Sequence, residues 1–200
     1  IASDDIYHRI LFGGRKWVSI GMAEEKLRER TFIINGVSKT YCMTGWRIGY
    51  LLGDPEVIRA ATKIQGQSTS NPTSISQWAA VEALEGSQAV AAEMVQVFET
   101  RSRHVLERIS WLPGVTCAEP DGAFYVFPDF SSYYGKKFGD RAIDNSLEMA
   151  DYLMEAAHVA VVPGSAFGED KCLRLSYALS LEDIDRGFDA IEKALAALKQ

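Results

Sequence analysis

Two short apolar runs constrain the fold of this chain more than any other feature. They are "TFIING", residues 31–36, and "RIGYLLG", residues 47–53, and each ends at a glycine. Short runs rich in β-branched residues and closed by glycine are typical of buried β-strands. The segment between the two strands must therefore form a turn. That turn carries a single lysine, Lys39, and leads directly into Arg47.

Helical segments are predicted after the second run. Asp54 and Pro55 form a helix start signal, because aspartate caps a first turn and proline suits the first helical position. Helices are predicted at 55–67, 74–85 and 87–110. The third helix is long enough to connect two domains.

Strands and helices alternate in the rest of the chain. Strands are predicted at 122–130, 159–164 and 172–178, with a helix at 145–157. The last helix follows a capping box of Ser180 and Asp183. Its helically spaced apolar residues are expected in the core: Leu181, Ile184, Phe188, Ile191, Leu195 and Leu198. The pattern predicts a mixed α/β chain that divides into residues 1–86 and 87–200.

Composition narrows the possible partners. The formal net charge is −6 and no run of lysine or arginine occurs, which argues against nucleic acid or an anionic membrane surface. No apolar run approaches the length of a membrane span. Cys42, Cys117 and Cys172 are widely spaced, so we expect reduced, buried cysteines, no metal site and a cytoplasmic protein.

Lys39 and Arg47 are the first candidate functional residues. A lysine at the mouth of a buried strand loses solvation, so a larger fraction is the free amine that attacks carbonyl groups. An arginine beside it could bind a phosphate or carboxylate through two parallel hydrogen bonds. Both residues also have ordinary interpretations, a solvated surface lysine and a structural ion pair.

Two further candidates lie elsewhere. Asp4 and Tyr7, in "SDDIY", are three residues apart at a predicted strand end, where open α/β sheets place their ligands. Arg174 lies inside the apolar run "LRLSYA". A buried arginine needs an anionic partner, so a bound carboxylate and a buried ion pair remain alternatives.

Taken in order, these segments resemble one family. The strings "SDDIY", "NGVSKTYCMTGWRIGYLLG", "QSTSNPTSISQ", "GAFYVFPDFS", "VAVVPGSAFG" and "LRLSYALS" are similar to the class I and II aminotransferases, which are pyridoxal-phosphate enzymes. They most resemble the bacterial aspartate aminotransferase branch. The resemblance implies a remnant of the large-domain sheet in residues 1–86, followed by the complete small α/β domain in residues 87–200.

The resemblance also implies a role for each candidate. Lys39 matches the lysine that forms the internal aldimine with pyridoxal phosphate, and Arg47 matches the arginine that binds the cofactor phosphate. Asp4 matches the aspartate that keeps the ring nitrogen protonated, and Tyr7 matches the tyrosine that hydrogen-bonds the ring hydroxyl. Arg174 matches the arginine that binds the substrate α-carboxylate.

The implied reaction is ping-pong transamination between an amino acid, aspartate or a relative of it, and a 2-oxo acid, in a homodimer. Other pyridoxal-phosphate reactions, such as C–S lyase or aminocyclopropane-carboxylate synthase chemistry, remain alternatives, as does a non-catalytic fragment. Two matched segments have open interpretations. The first contains Gly122, Phe124 and Tyr125, which either line the substrate site or belong to the core. The second contains Ser68, Ser70 and Asn71, which either approach a dimer partner or form a plain loop.

The first residues carry a further expectation. The chain begins at Ile1, at what reads as the end of a strand, and the family's N-terminal half has no counterpart. We therefore expect a piece of a longer protein that is inactive alone, in which residues 1–86 expose apolar faces and an unpaired sheet edge. Residues 87–200 should fold well, whereas residues 1–50 should be displaced, disordered or paired with another molecule.

Overall fold

A computed structural model describes residues 1–199, and the chain divides into two compact units. The first unit comprises residues 1–96 and the second begins at Val97. Both units mix helices and strands, as predicted. The division falls at 96/97 rather than at 86/87, inside a long helix. The interpretation of the two units as a large-domain part and a small domain stays a prediction.

The first unit contains a three-stranded sheet. Its strands are β1 (Ala2–Asp4), β2 (Phe32–Gly36) and β3 (Gly49–Leu52), in the order β1-β2-β3. The first pair is parallel and the second is antiparallel. Strands β2 and β3 confirm the interpretation of the two apolar runs. Two short helices, α1 (Ile20–Ala23) and α2 (Glu25–Arg28), precede β2 and were not predicted.

Gly36 and Gly49 allow β2 and β3 to pair closely at the start of the turn. The two glycines are direct partners in the antiparallel ladder. A Cβ atom on Gly49 would lie 2.8 Å from the carbonyl oxygen of Asn35, closer than side chains approach a backbone. Both strands therefore need glycine at this end of the sheet.

Three helices complete the first unit and lead into the second. They are α3 (Pro55–Ser68), α4 (Ser74–Glu85) and α5 (Ala89–Ser110), close to the predicted bounds. The Asp54 carboxylate accepts the backbone N–H groups of Glu56 at 2.8 Å and Val57 at 3.2 Å. These contacts confirm the predicted start of α3.

The expected exposed apolar surface is present on the first unit. Helices α3 and α4 expose large apolar side chains, among them Ile64 at 72% and Trp78 at 74% of their surface. Strands β1 and β3 are the two edges of the sheet. The displacement or disorder expected for residues 1–50 is not found in this sheet, whereas their expected pairing with another molecule stays a prediction. Because β2 hydrogen-bonds to a strand on each side, this sheet is ordered within the unit.

The second unit contains a small antiparallel sheet and a hairpin. The sheet joins β4 (Tyr125–Val126), β7 (Val162–Pro163) and β8 (Leu173–Ser176), with β8 in the middle. The hairpin of β5 (Lys136–Phe138) and β6 (Arg141–Ile143) was not predicted. The predicted strand at 122–130 is regular only at Tyr125–Val126, since Ala123 before it has a left-handed φ of 61° and Pro128 after it has no N–H to donate.

Two helices contribute a large part of the core of the second unit. They are α6 (Ser146–Ala157) and α7 (Leu181–Ala197). The Ser180 hydroxyl accepts the N–H of Asp183 at 3.0 Å, which confirms the capping box. The apolar stripe of α7 is buried as predicted, except that Leu181, in the first turn, is 43% exposed. The hydroxyl of buried Tyr152 on α6 donates to the carbonyl oxygen of Ala194 at 2.6 Å.

A buried arginine connects α5 and α7 within the second unit. Arg108 is 6% exposed and donates to Asp185 at 2.7 Å and to Asp189 at 2.6 Å. His104 also contacts Asp185, at 2.8 Å. The hydrogen bonds from His104 and Arg108 lower the pKa of the Asp185 carboxyl. This arginine thus has the acidic partners that a buried guanidinium ordinarily needs.

The cysteines differ from their predicted burial. All three are free thiols, and burial raises the pKa values of Cys117 and Cys172, which are half-buried. Cys42 is exposed, so its predicted burial is wrong. It lies in the turn after β2 with a positive φ of 54°, and its thiol donates to the sulfur of Met94 at 3.0 Å on the surface of the first unit. Within residues 1–199, no helix is long and apolar enough to cross a membrane.

Candidate active site

Four predicted site residues lie at the end of the first-unit sheet where β1 and β2 terminate, which we call the sheet edge. Strands β1 and β2 are parallel, so their carboxyl ends lie at the same edge, and β3, running the other way, begins there. Asp4 ends β1 and Tyr7 follows it. Lys39 follows β2, and Arg47 lies two residues before the start of β3. The topology thus brings residues from two distant segments together.

The turn from β2 to β3 is a tight, hydrogen-bonded structure. The N–H of Tyr41 donates to the carbonyl of Val37, and the N–H of Cys42 to the carbonyl of Lys39, each at 3.3 Å. Val37 and Thr40 are 1% exposed and anchor the turn, whereas Lys39 between them is half-buried. The lysine is therefore held on a fixed backbone at the sheet edge.

Arg47 closes the turn in a strained conformation. A 3-10 helix at Thr44–Trp46 leads to Arg47, whose φ of 52° is in the left-handed region. Its Nη1 atom donates to the carbonyl of Thr44 at 2.8 Å, and the side chain is otherwise exposed. A guanidinium has five N–H donors, so most of them remain for a ligand. A non-glycine residue in this conformation costs about 1 kcal/mol, a strain typical of functional sites.

The two neighbouring acids of "SDDIY" differ in their surroundings. Asp5 is half-buried and accepts hydrogen bonds from the hydroxyls of Ser3 at 2.8 Å and Ser19 at 3.0 Å. Asp4 is exposed and accepts the backbone N–H of Ile6, at 3.2 Å. Asp5 is thus a structural acid, and the Asp4 carboxylate has acceptor capacity left for a ligand.

Gln88 joins the two segments of the site and was missed by the sequence analysis. Its Oε1 atom accepts an N–H from Arg9 at 2.5 Å and the hydroxyl of Tyr41 at 2.9 Å. Its Nε2 atom donates to the carbonyls of Ala83 and Gly86. A lone glutamine before a helix gives no sequence signal of this bridging role.

His8 and Asn35 form a polar contact below the same edge. The His8 Nδ1 atom lies 3.1 Å from the carbonyl oxygen of Asp5 and 3.1 Å from the Asn35 amide nitrogen. The contact with the carbonyl requires a proton on Nδ1, whereas the contact with the amide nitrogen requires a lone pair there. A single tautomer of His8 therefore forms one of the two hydrogen bonds and not the other. Burial lowers the pKa of His8, which favours the neutral ring.

Thr40 carries a buried hydroxyl that has no hydrogen-bond partner among residues 1–199. An unsatisfied buried hydroxyl costs about 1–3 kcal/mol, whereas a methyl group in its place costs nothing. We therefore expect Thr40→Val to raise the free energy of unfolding by about 1 kcal/mol in urea titrations. Thr40→Ser is the matched control, since it keeps the hydroxyl and loses the methyl, and it should lower stability. A destabilised Thr40→Val variant would show that the hydroxyl has a partner.

Arg174 lies in the second unit with an unusual set of neighbours. Leu173 and Leu175 on either side of it in β8 are buried, so Arg174 faces the opposite side of the sheet. Its guanidinium carbon is 4.7 Å from the ring centre of Tyr125 and 4.9 Å from that of Phe167. Within residues 1–199, no acidic side chain pairs with it. The structure therefore does not contain the buried ion pair that was one of the two alternatives.

The chain matches one family of known proteins over most of its length. The family model for "Aminotransferase class I and II" matches residues 1–191. The chain belongs to the class I and II aminotransferase family. The "Aspartate aminotransferase" of Geobacillus stearothermophilus is 44% identical over 197 residues, which cover 98% of this chain and 49% of that protein. The chain spans about half the length of the curated relatives that it matches.

Solved aminotransferase structures share the fold. The crystal structure of the aspartate aminotransferase from Rhizobium meliloti matches 99% of this chain and 50% of that chain, with a TM-score of 0.94 at 41% identity. The aromatic aminotransferase from Pyrococcus horikoshii matches 98% of this chain and 50% of its own, with a TM-score of 0.87 at 31% identity. The mixed α/β architecture is thus that of the aminotransferase family.

The residues at the sheet edge fit the family's cofactor, pyridoxal phosphate. That molecule carries an aldehyde, a phosphate, a ring nitrogen and a ring hydroxyl. The edge offers an amine at Lys39, a guanidinium at Arg47, a carboxylate at Asp4 and a phenol at Tyr7, one partner for each group. No group of three or more metal-binding side chains occurs in the described part of the chain.

Proposed function

We propose that the whole protein catalyses pyridoxal-phosphate-dependent transamination between an amino acid, aspartate or a relative of it, and a 2-oxo acid. The observation that carries this proposal is the shared sheet edge of Asp4, Tyr7, Lys39 and Arg47. Membership of the aminotransferase family supports it. The bound cofactor supplies the electron sink that allows a proton to leave the substrate α-carbon.

Lys39 is the residue that moves protons. Its amine would hold the cofactor through the aldehyde and, when free, would take the proton from the substrate α-carbon and give one back to the carbon on the other side of the substrate nitrogen. The anchored turn keeps the lysine backbone in place while its flexible side chain reaches both positions. One residue thus serves as covalent anchor and as general base.

Arg47, Asp4 and Tyr7 bind and orient the cofactor. The Arg47 guanidinium suits a phosphate because planar N–H donors form two parallel, charge-assisted hydrogen bonds. The Asp4 carboxylate holds a proton on the ring nitrogen, and the Tyr7 hydroxyl hydrogen-bonds the ring oxygen. Each role uses the chemical group that the residue presents at the sheet edge.

Arg174 binds the substrate α-carboxylate in this proposal. The observed absence of an acidic neighbour within residues 1–199 leaves its N–H donors for a ligand. All amino acids share this carboxylate, so Arg174 does not select among side chains. We further propose a homodimer, and a cytoplasmic location that accords with the three free thiols.

Product analysis tests the proposed function. The whole protein that carries this sequence is incubated with pyridoxal phosphate, aspartate and 2-oxoglutarate, and glutamate and oxaloacetate are quantified. We expect the two products in equal amounts, with ping-pong kinetics. Release of ammonia and a thiol from a cysteine conjugate, without glutamate from any donor amino acid, would instead indicate C–S lyase chemistry. No turnover of any amino acid by cofactor-loaded protein would refute the proposal.

A further inference from the structure

We propose that Tyr125 and Phe167 are positioning residues that hold the Arg174 guanidinium ready to bind a carboxylate. This inference rests on the proposed function, and it assigns a role to two aromatic side chains that do not themselves bind the carboxylate. All three residues belong to the second unit. The two rings contact the guanidinium at 4.7 and 4.9 Å from their centres.

The backbone of Arg174 is fixed by its strand. Strand β8 is the middle of its sheet and pairs with β4 on one side and β7 on the other. Arg174 lies directly opposite Val162 in the β7 ladder. Backbone pairing alone does not hold a long side chain, however, because an arginine keeps several rotatable bonds beyond its Cβ atom.

The two rings supply what the backbone does not. An aromatic ring attracts a guanidinium through its π-electrons, so the contact occupies none of the N–H donors. Arg108, in the same unit, is held differently, since hydrogen bonds to Asp185 and Asp189 use its donors. Arg174 is therefore restrained like a structural arginine while its donors stay available. A guanidinium already restrained loses less rotamer freedom when it binds a carboxylate.

Phe167 is well placed for this task although it is half-exposed. It ends a 3-10 helix, Gly164–Phe167, whose first residue donates its N–H to the carbonyl of Cys172 at 2.8 Å. Phe127 packs edge-to-face against Phe167, with ring centres 5.9 Å apart. The Phe167 ring, which is 51% exposed, is thus supported from behind. An exposed aromatic ring on a rigid turn beside a cation is consistent with a binding role.

Succinate titration of the ¹⁵N-labelled 200-residue chain tests the inference. The probe is the Nε–Hε resonance of Arg174, which reports both succinate binding and the mobility of the guanidinium. We expect Phe167→Leu to raise the Kd of succinate about 3- to 10-fold and to increase side-chain mobility before succinate is added. Tyr125→Leu should act in the same direction. Phe167→Tyr should restore the wild-type Kd, because it keeps the ring.

Two controls separate positioning from general damage. Phe138→Leu removes a partly exposed ring of the same unit that packs on Tyr152, 5.0 Å away, and should leave the Kd unchanged. In an Arg174→Lys background, where backbone amide shifts report succinate binding, Phe167→Leu should have little further effect, because the restrained guanidinium is gone. Unchanged Kd and mobility in both ring variants, with succinate binding intact, would overturn the positioning role and leave the proposed function standing. No response of Arg174 to succinate would overturn the inference, whereas failure of the proposed function would appear separately as absent product formation.

Discussion

Replacing Lys39 with alanine is expected to abolish transamination. The variant loses the covalent anchor of the cofactor and the base that accepts the α-proton. Loss of general base catalysis alone costs about 10²- to 10⁴-fold in rate. We therefore expect turnover of aspartate and 2-oxoglutarate by the whole protein to fall by at least this factor. The fold should persist, since the half-buried side chain ends at the sheet edge.

The matched control for this variant is Lys63→Ala. Lys63 lies on the exposed surface of α3 and has no role in the proposed site. Its replacement should leave turnover and the melting temperature within error of the wild type. If Lys39→Ala keeps turnover within about 10-fold of the wild type, below the factor expected for a general base, Lys39 is not the catalytic lysine.

Replacing Gly164 with alanine is expected to destabilise the second unit strongly. A Cβ atom at this position would lie closer than 3.0 Å to the carbonyl oxygens of Glu169 and Cys172. Both oxygens belong to backbone held in the turn that precedes β8, so neither can move away cheaply. We expect the free energy of unfolding to fall by about 3 kcal/mol, measured by urea titration followed by circular dichroism.

Gly187→Ala is the matched control in the same unit. Gly187 lies within α7, and a Cβ atom there would meet no atom within 4 Å. Alanine is the better helix former, so this variant should gain about 0.5–1 kcal/mol. Opposite signs for the two substitutions are the expected result. If Gly164→Ala is as stable as the wild type, the backbone around Gly164 does not pack as closely as described here.

Local sequence signals predicted the regular elements well where pattern and tertiary structure agree. Asp54 and Ser180 mark helix starts because their side chains satisfy backbone N–H groups within the same turn. The glycines at the ends of the two apolar runs likewise indicated where β2 and β3 end. The short strands failed for a different reason. Strand β7 has two residues because only Val162 and Pro163 pair with β8, and no local sequence pattern records that pairing.

The candidate site was predictable in part. Lys39 and Arg47 lie in one turn between two adjacent strands, so their proximity could be predicted from the sequence. Their functional assignment came from the resemblance to the aminotransferases. The contacts of Arg174 with Tyr125 and Phe167 join three separate segments, which sequence spacing does not bring together. Long-range partners of this kind emerge only from the folded chain.

The central claim is that Lys39 is the residue that binds pyridoxal phosphate covalently. The most direct measurement adds pyridoxal phosphate to the whole protein that carries this sequence, reduces the mixture with borohydride and locates the modified lysine by peptide mass spectrometry. Borohydride fixes the bond between an amine and the cofactor aldehyde, so the result does not depend on turnover. We expect specific labelling of Lys39, with Lys63 and the other lysines unmodified. Labelling spread over surface lysines, or none at Lys39, would contradict it.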